Sequence, residues 1–419
     1  VAGGALTYVR QAYGNGLQAF LVGSMDSLSS AFYAALSAVG FAYSLRVFLP
    51  FIPIVPTALV VILAFTLLHL LGVRNVGRAQ MVLGGILLIL LGIYVVVGLV
   101  QPQGFSWDRF APGGEFFVGD SISTNIAMML TTMALIFNAF VGFELIADDA
   151  EEVSNPSRNI PIALLGSLAA ITVIYAVVTL ITLGTLPWWE VAGSEIALTQ
   201  AAARFLPGMG PILIGIAGII ATLTSINTAM LSATREAMTL SRLGLWPKAM
   251  ARLGRLRTPY VSILVIGSVV GLTAVLRVVT LLGYISSSGY LFVMFWSGLA
   301  MIKLRRLEPD IKRPFRVPLF PLTAYIQVGT CVMVIAFTAP QALAFTGAVL
   351  LVLTAIYYLR MPLITAARER TAAAERARDR LLVAVSDPDT AVGMARLAAN
   401  LSEEQVGSPM EILAVATSY

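Results

Sequence analysis

The sequence predicts an all-α polytopic membrane protein of about ten spans, followed by a short α/β tail. Three observations carry this. Apolar residues make up 58% of the 419-residue chain and charged residues only 12%, with a mean hydropathy of +0.87, whereas soluble domains carry about a quarter charged residues. Apolar runs long enough to cross roughly 30 Å of hydrocarbon, about 20 residues at 1.5 Å rise, recur from end to end. Lys and Arg fall between those runs, mostly on alternate connections.

The runs lie near residues 17–47, 52–72, 79–100, 123–147, 160–186, 209–236, 259–282, 284–302, 321–339 and 342–360. The first exceeds one crossing, so it should tilt or project beyond the bilayer. The connections 73–78, 148–159, 235–258, 303–318 and 360–380 hold most of the basic residues, among them Arg74, Arg78, Arg158, Arg242, Lys248, Lys303 and Arg316. That side is predicted to be cytoplasmic and to include the C-terminus, making this a multi-pass protein of the cell membrane. The opposite side keeps Arg46, Arg109, Arg204 and Arg277, with Trp107, Trp188 and Trp189 as interfacial anchors. The chain opens on Val1 without a signal-peptide pattern, which predicts a start inside a longer chain.

Beyond a membrane domain over 1–362, residues 363–380 read as a charged, Ala-rich helical linker. Residues 381–419 then read as a partial α/β domain: a strand over Leu381–Val385, a helix over 391–401 and a second strand over Ile412–Ala416, the opening of a βαβ unit. One βαβ cannot cover both faces of its sheet, so something else must complete it.

Composition excludes several function classes. One cysteine, Cys331, and one histidine, His69, leave neither an internal disulfide nor a Cys or His metal cluster, so no metal or cofactor is expected. His69 reads as a packed or interfacial side chain. The net charge of +5 is distributed as membrane orientation requires and does not indicate nucleic acid. No span carries a nucleophile with its base, so the chain does not read as an enzyme. The expected partners are the lipid bilayer and a small-molecule solute.

The run 123–147 carries the chemistry, because Phe137-Asn138-Ala139-Phe140-Val141-Gly142-Phe143-Glu144 sets a glycine and polar groups inside a span. Backbone at that depth can unwind only where protein or a cavity satisfies it, and broken helices of this kind hold charged solutes in transporters. The other reading of Gly142 is a helix-packing contact. Asp26 and Glu144 are acids within spans and hence gating or proton candidates, unless each lies near a helix end or pairs with a polar neighbour. Asp148, Asp149, Glu151 and Glu152 would stand at the cytoplasmic mouth.

The order Phe140-Val141-Gly142-Phe143-Glu144, then Glu151-Glu152-Val153 and Asn155-Pro156-Ser157-Arg158-Asn159-Ile160-Pro161, resembles the sixth helix of the amino acid-polyamine-organocation permeases and its cytoplasmic exit. Arg235, Ser241-Arg242, Gly244-Leu245-Trp246-Pro247 and Thr258-Pro259 resemble that family's eighth helix and inner loop. Gly3-Gly4, Tyr8 and Tyr13-Gly14 are similar to the end of its second helix. The resemblance spans residues 1 to about 360 and implies a five-plus-five inverted-repeat, leucine-transporter-like core with two further helices. The ten runs then become helices three to twelve, the first helix and most of the second lying outside the chain.

What the resemblance implies for the site follows residue by residue. The substrate's ammonium would meet the freed carbonyls of the break over Phe137, Asn138, Ala139, Phe140, Val141, Gly142 and Phe143, with Phe137 and Phe140 covering it as a cation over aromatic faces. Ser29 and Tyr33 on the third helix and Ser286 to Ser288 on the tenth would face the same cavity, although such serines also serve as helix glue. Sodium-dependent relatives take an ion from hydroxyls on the eighth helix, where Thr222, Thr224, Ser225 and Asn227 stand. Proton-coupled members carry a lysine on the fifth helix, where this chain has Leu87, so sodium or an exchange solute is the expected coupling partner. The implied function is secondary active transport of amino acids or related organic cations by alternating access. A rival reading takes the tail, which resembles the start of a universal stress protein domain, as the output module of a transporter-like sensor.

Overall fold

The structure, a computed structural model, describes residues 4–72, 76–114, 119–143, 153–276, 279–311, 313, 315–378, 381–385 and 410–414. The chain forms two compact units, Val1–Leu353 and Thr354–Tyr419. In chain order the helices are α1 (Gly4–Tyr13), α2 (Leu17–Arg46), α3 (Ile54–Leu71), α4 (Val76–Val100), α5 (Trp107–Phe110), α6 (Ile122–Phe140), α7 (Pro156–Thr185), α8 (Trp188–Ala192), α9 (Ala197–Phe205), α10 (Met209–Arg242), α11 (Tyr260–Ala274), α12 (Val279–Leu307), α13 (Leu322–Ala336) and α14 (Pro340–Arg378). Among the described residues, α2, α3, α4, α6, α7, α10, α12 and the first part of α14 are long and apolar enough to cross a membrane. The apolar helices α11 and α13 are shorter, at 15 residues each. Together they account for the ten predicted runs.

Two boundaries differ from the sequence reading. The runs 259–282 and 284–302 were expected to part at Gly283, but the chain leaves α11 after Ala274 and is helical again from Val279. Gly283 instead lies inside α12, where Leu135 of α6 packs against it. The one charged residue in this stretch, Arg277, falls between the two helices and marks the turn better than the glycine does; a glycine within a membrane helix more often admits a neighbour than breaks the chain. The second difference is that α14 runs unbroken from Pro340 to Arg378, so the expected linker continues the last span instead of forming a separate element.

Helices α2 and α12 form the inside of the first unit. In their most apolar stretches 56% and 61% of residues are buried, against 11% in α4, α6 and α7, which present most of their surface outward. Small residues explain the difference. Ala31, Ala34, Ala35, Ala38 and Ala42 of α2 are fully buried in one core with Ile226, Met230, Ala233 and Ala237 of α10. Lipid tails are as apolar as leucine, so membrane helices associate through close backbone approach and interhelical hydrogen bonds instead of the hydrophobic effect. Both occur here: Gly23 receives Leu240, Gly40 receives Thr222, and Gly218 receives Ser44. Ser27 Oγ donates to the Ala233 carbonyl at 2.8 Å and Trp246 Nε1 donates to Ser24 Oγ at 2.8 Å.

At the end of the unit that carries α5, Arg109 ties the connection between α4 and α6 to α7. Its Nε donates to the Gly184 carbonyl at 2.9 Å and its Nη2 to the Gly104 carbonyl, while Ser106 N donates to Gly184 O at 2.8 Å. Phe105, Trp107 and Phe110 stack edge to face beside it. A charge-assisted hydrogen bond contributes about 1.5–3 kcal/mol, less where water can replace it. Arg109→Ala is therefore expected to cost about 1–3 kcal/mol, read as a lowered melting temperature of the detergent-purified protein. An unchanged melting curve would show that this side chain does not hold the loop.

In the second unit, β1 (Leu381–Val385) and β2 (Met410–Ala414) pair in parallel, with Leu381 opposite Met410 and Val385 opposite Ala414. Parallel strands need a crossover of a dozen or more residues, and the residues between these two strands lie outside the described ones. The second strand begins two residues before the expected Ile412, and the expected helix over 391–401 lies outside the described residues.

Candidate functional site

The site is organised around the end of α6. Ser121 caps the start of that helix, its Oγ accepting from Thr124 N at 3.2 Å. The helix ends at Phe140: Val141 is extended (φ −64°, ψ 142°) and Gly142 has φ +114°. Its last amide contact, Val141 N to Asn138 O, is long at 3.4 Å. A Cβ placed on Gly142 would meet no atom within 4 Å. Crowding therefore does not require glycine here; the backbone angle does, since residues with a side chain rarely adopt it. This separates the two sequence readings of Gly142 in favour of non-helical backbone.

Val141 and Gly142 border a cavity of about 160 Å³, whose wall also contains Tyr33 of α2, Gln80 of α4, Thr224, Ser225, Thr228, Ala229 and Ser232 of α10, and Tyr290 of α12. For scale, a cavity of about 150 Å³ accepts a benzene-sized molecule. Beside Val141 and Ala229, the lining side chains are hydroxyls, phenols and one carboxamide, with no charged group among the described lining residues. Tyr33 Oη lies 3.5 Å from Ser225 Oγ, Tyr290 Oη lies 2.9 Å from Ser30 Oγ, and Gln80 Nε2 donates to Thr228 Oγ1 at 2.9 Å. Ser232 Oγ donates to Glu236 Oε1 at 3.2 Å, one turn further along α10. Such a wall can surround a solute whose polar head needs both donors and acceptors.

Of the residues singled out in the sequence, Tyr33, Val141, Gly142, Thr224 and Ser225 are brought together in this wall. Others lie elsewhere. Phe137, Phe140 and Phe143 line a separate apolar groove of about 590 Å³ with Met133, Ile136, Leu291, Met294 and Val334. The aromatic cover expected over the solute is not among the residues lining this cavity: Met133, Phe137 and Phe140 form one helical stripe, which α6 turns toward α12 and α13. The Ala139 carbonyl accepts from Tyr175 Oη at 2.9 Å and so is already occupied. Asn138 is buried, its Oδ1 without a hydrogen-bond partner among the described residues.

Ser29 and Ser286 belong to the α2–α12 seam instead of the cavity wall. Ser286 Oγ donates to the Ser29 carbonyl at 3.2 Å, and the Ser29 side chain fills the space over Gly289. Their glue reading fits this placement. Ser288 pairs with Thr346 at 2.7 Å. Thr222 is turned to Gly40 of α2 and donates back to the Gly218 carbonyl at 2.7 Å. Asp26 is buried on α2 outside the lining set. Glu144, Asp148, Asp149, Glu151 and Glu152 lie outside the described residues. His69 stands 3.1 Å from Asn227 Oδ1 and edge-on to Phe65, as expected of a packed side chain.

Sequence reasoning missed Gln80, Thr228, Ser232 and Tyr290. A signal existed for some. Gln80 is the single carboxamide of an otherwise apolar span, and Thr224, Thr228 and Ser232 recur at the four-residue spacing that stacks side chains on one helix face. Tyr290 had no distinguishing mark.

Comparison with known proteins identifies relatives of the whole membrane domain. The family described as amino acid permease matches residues 1–360. The branched-chain amino acid permease BcaP of Bacillus subtilis (strain 168) is 29% identical over 285 residues, covering 66% of this chain and 58% of that protein. The methylthioribose transporter of the same organism is 30% identical over 280 residues, covering 65% and 57% respectively. The gamma-aminobutyric acid permease of Escherichia coli (strain K12) is 28% identical over 324 residues, covering 71% and 67%. The chain spans a little under three fifths of the length of the first two relatives.

Proposed function

Since the chain belongs to the amino acid permease family, whose members are transporters and not enzymes, we propose that it carries an amino acid or related organic amine across the cell membrane by secondary active transport. One observation supports this reading above the rest: α6 ends at Val141 and Gly142 beside a small cavity walled by hydroxyls and a carboxamide. Freed carbonyls at the end of a broken helix accept from an ammonium group, and hydroxyls can donate to a carboxylate. Alternating access would follow from rocking one bundle against the rest in a five-plus-five inverted-repeat core. In this reading the permease domain extends over 1–362, and the Lys and Arg distribution puts the C-terminus in the cytoplasm. Relatives named for branched-chain amino acids, methylthioribose and gamma-aminobutyric acid leave the side-chain preference open to measurement.

The test is saturable uptake of radiolabelled amino acids by the full-length protein in proteoliposomes. Absence of saturable uptake for every amino acid would overturn the transport reading and favour the sensor. Thr224 and Ser225 are the cation-coordinating candidates within the wall, by their neutral oxygens. Replacing both by alanine is expected to abolish any sodium stimulation of uptake. Sodium stimulation equal to that of the unmodified protein would reject these two residues as ion ligands.

A further inference from the structure

Gln80 lies in the cavity wall at the start of the outward-facing part of α4, where Tyr94 is the only other polar side chain up to Val100. Its Nε2 is 2.9 Å from Thr228 Oγ1 and 3.3 Å from the Thr224 carbonyl oxygen. Thr228 Oγ1 itself lies 2.9 Å from that same carbonyl. A carbonyl oxygen cannot donate, and a threonine hydroxyl has a single proton, which here goes to Thr224 O. Both groups that α10 turns toward Gln80 are therefore acceptors. If the carboxamide were flipped, its oxygen would stand 3.3 Å from the Thr224 carbonyl oxygen with no proton between them, and the Thr228 hydroxyl could donate to it only by giving up its own bond to Thr224 O. The network thus determines the amide's orientation: its N–H groups face α10, and Oε1 is the atom left for the cavity. Among the described residues no group donates to Oε1.

The rest of the lining has a different character. Tyr33, Ser225, Thr224, Ser232 and Tyr290 carry hydroxyls, which can rotate and either donate or accept. Gln80 Oε1 is a pure acceptor whose direction is held by two contacts to a neighbouring helix. A carboxylate oxygen placed against it would be repelled; an N–H would be received. We propose that Gln80 is a specificity-determining residue whose Oε1 accepts a hydrogen bond from the ammonium group of the transported amino acid. Thr228 is the positioning residue that keeps the amide turned. The solute class follows: a zwitterionic amino acid bearing an N–H-rich ammonium, recognised by a neutral acceptor.

This inference rests on the transport reading, and the experiment separates the two. Uptake of a radiolabelled amino acid by the full-length protein is measured against increasing unlabelled parent amino acid and, separately, its des-amino analogue with the same carboxylate and side chain. Gln80→Met retains length and bulk but removes the acceptor. In the unmodified protein the analogue should compete far more weakly than the parent. Gln80→Met is expected to narrow that ratio about tenfold by weakening the parent more than the analogue, consistent with one lost hydrogen bond to a charged group. Thr228→Val should narrow the ratio by a smaller factor, about two- to fivefold, because the acceptor remains but is free to turn. Equal weakening of parent and analogue in Gln80→Met, or a ratio unchanged in both variants, would overturn the proposal and leave Gln80 a packing residue. Should Gln80→Met not fold, the Thr228→Val ratio decides. Failure of the unmodified protein to take up any amino acid would instead refute the transport reading, and the inference with it.

Discussion

Gly142→Val is expected to lower amino acid uptake about tenfold or more while leaving the protein folded and membrane-inserted. The reasoning begins with the backbone angle: φ is +114° at this residue, and a Cβ there would strike nothing within 4 Å. A bulkier side chain is therefore not excluded by neighbours. It is excluded by its own backbone, at a cost of about 1–3 kcal/mol, and more for a β-branched residue. The segment Val141–Phe143 can either bear that strain or rotate to a permitted angle, and rotation carries the cavity-lining backbone with it. Since about 1.4 kcal/mol corresponds to a factor of ten, rotation away from the substrate-competent backbone to relieve strain of that size reaches the expected loss. Gly142→Ala should act in the same direction with a smaller effect. The angle also lies well beyond the left-handed helical region near +57°, so asparagine should not rescue. Uptake by Gly142→Val with unchanged KM and maximal rate would show that this backbone does not shape the site.

Gly289→Leu is expected to have the largest effect on stability, removing uptake together with a monodisperse, cooperatively melting protein. A Cβ at this position would overlap Ser29 Oγ and come within 3.2 Å of the Met25 side chain, on the face where α12 lies against α2. Two buried hydrogen bonds cross the same seam, Ser286 Oγ to Ser29 O at 3.2 Å and Ser30 Oγ with Tyr290 Oη at 2.9 Å. Tyr290 is also part of the cavity wall, so parting the helices here opens the site. Overpacking costs about 1–3 kcal/mol and sometimes more, and each lost hydrogen bond adds about 0.5–1.5 kcal/mol. Gly289→Ala is the informative companion. Alone it should lower the melting temperature measurably, and combined with Ser29→Ala, which vacates the hydroxyl's volume, it should recover most of that loss. Lack of recovery in the double variant would mean that the contact with Ser29 is not what limits the seam.

The parts legible in the sequence are those that depend on neighbours along the chain. Apolar run length predicts the spans because the bilayer's thickness is a local constraint on each helix, and the family's residue order around Gly142 and Pro156 was readable for the same reason. Gly142 stood out as an oddity within its own span, and the structure locates the end of the helix beside it. The faces of the helices were not legible. Phe137 and Phe140 share a stripe by periodicity alone, but whether that stripe looks into the polar cavity or the apolar groove depends on where α12 and α13 pack. Ser29 and Ser286 had the composition of cavity ligands and of helix glue alike, and only their contact across α2 and α12 distinguishes the two. Gln80 meets Thr228 across 148 positions of sequence. Such pairings are set by which helices approach closely, and in lipid that approach is governed by the summed fit of small side chains over whole helix faces. A residue's local sequence determines that it lies in a span; the packing of distant spans decides whether it faces solute, lipid or another helix.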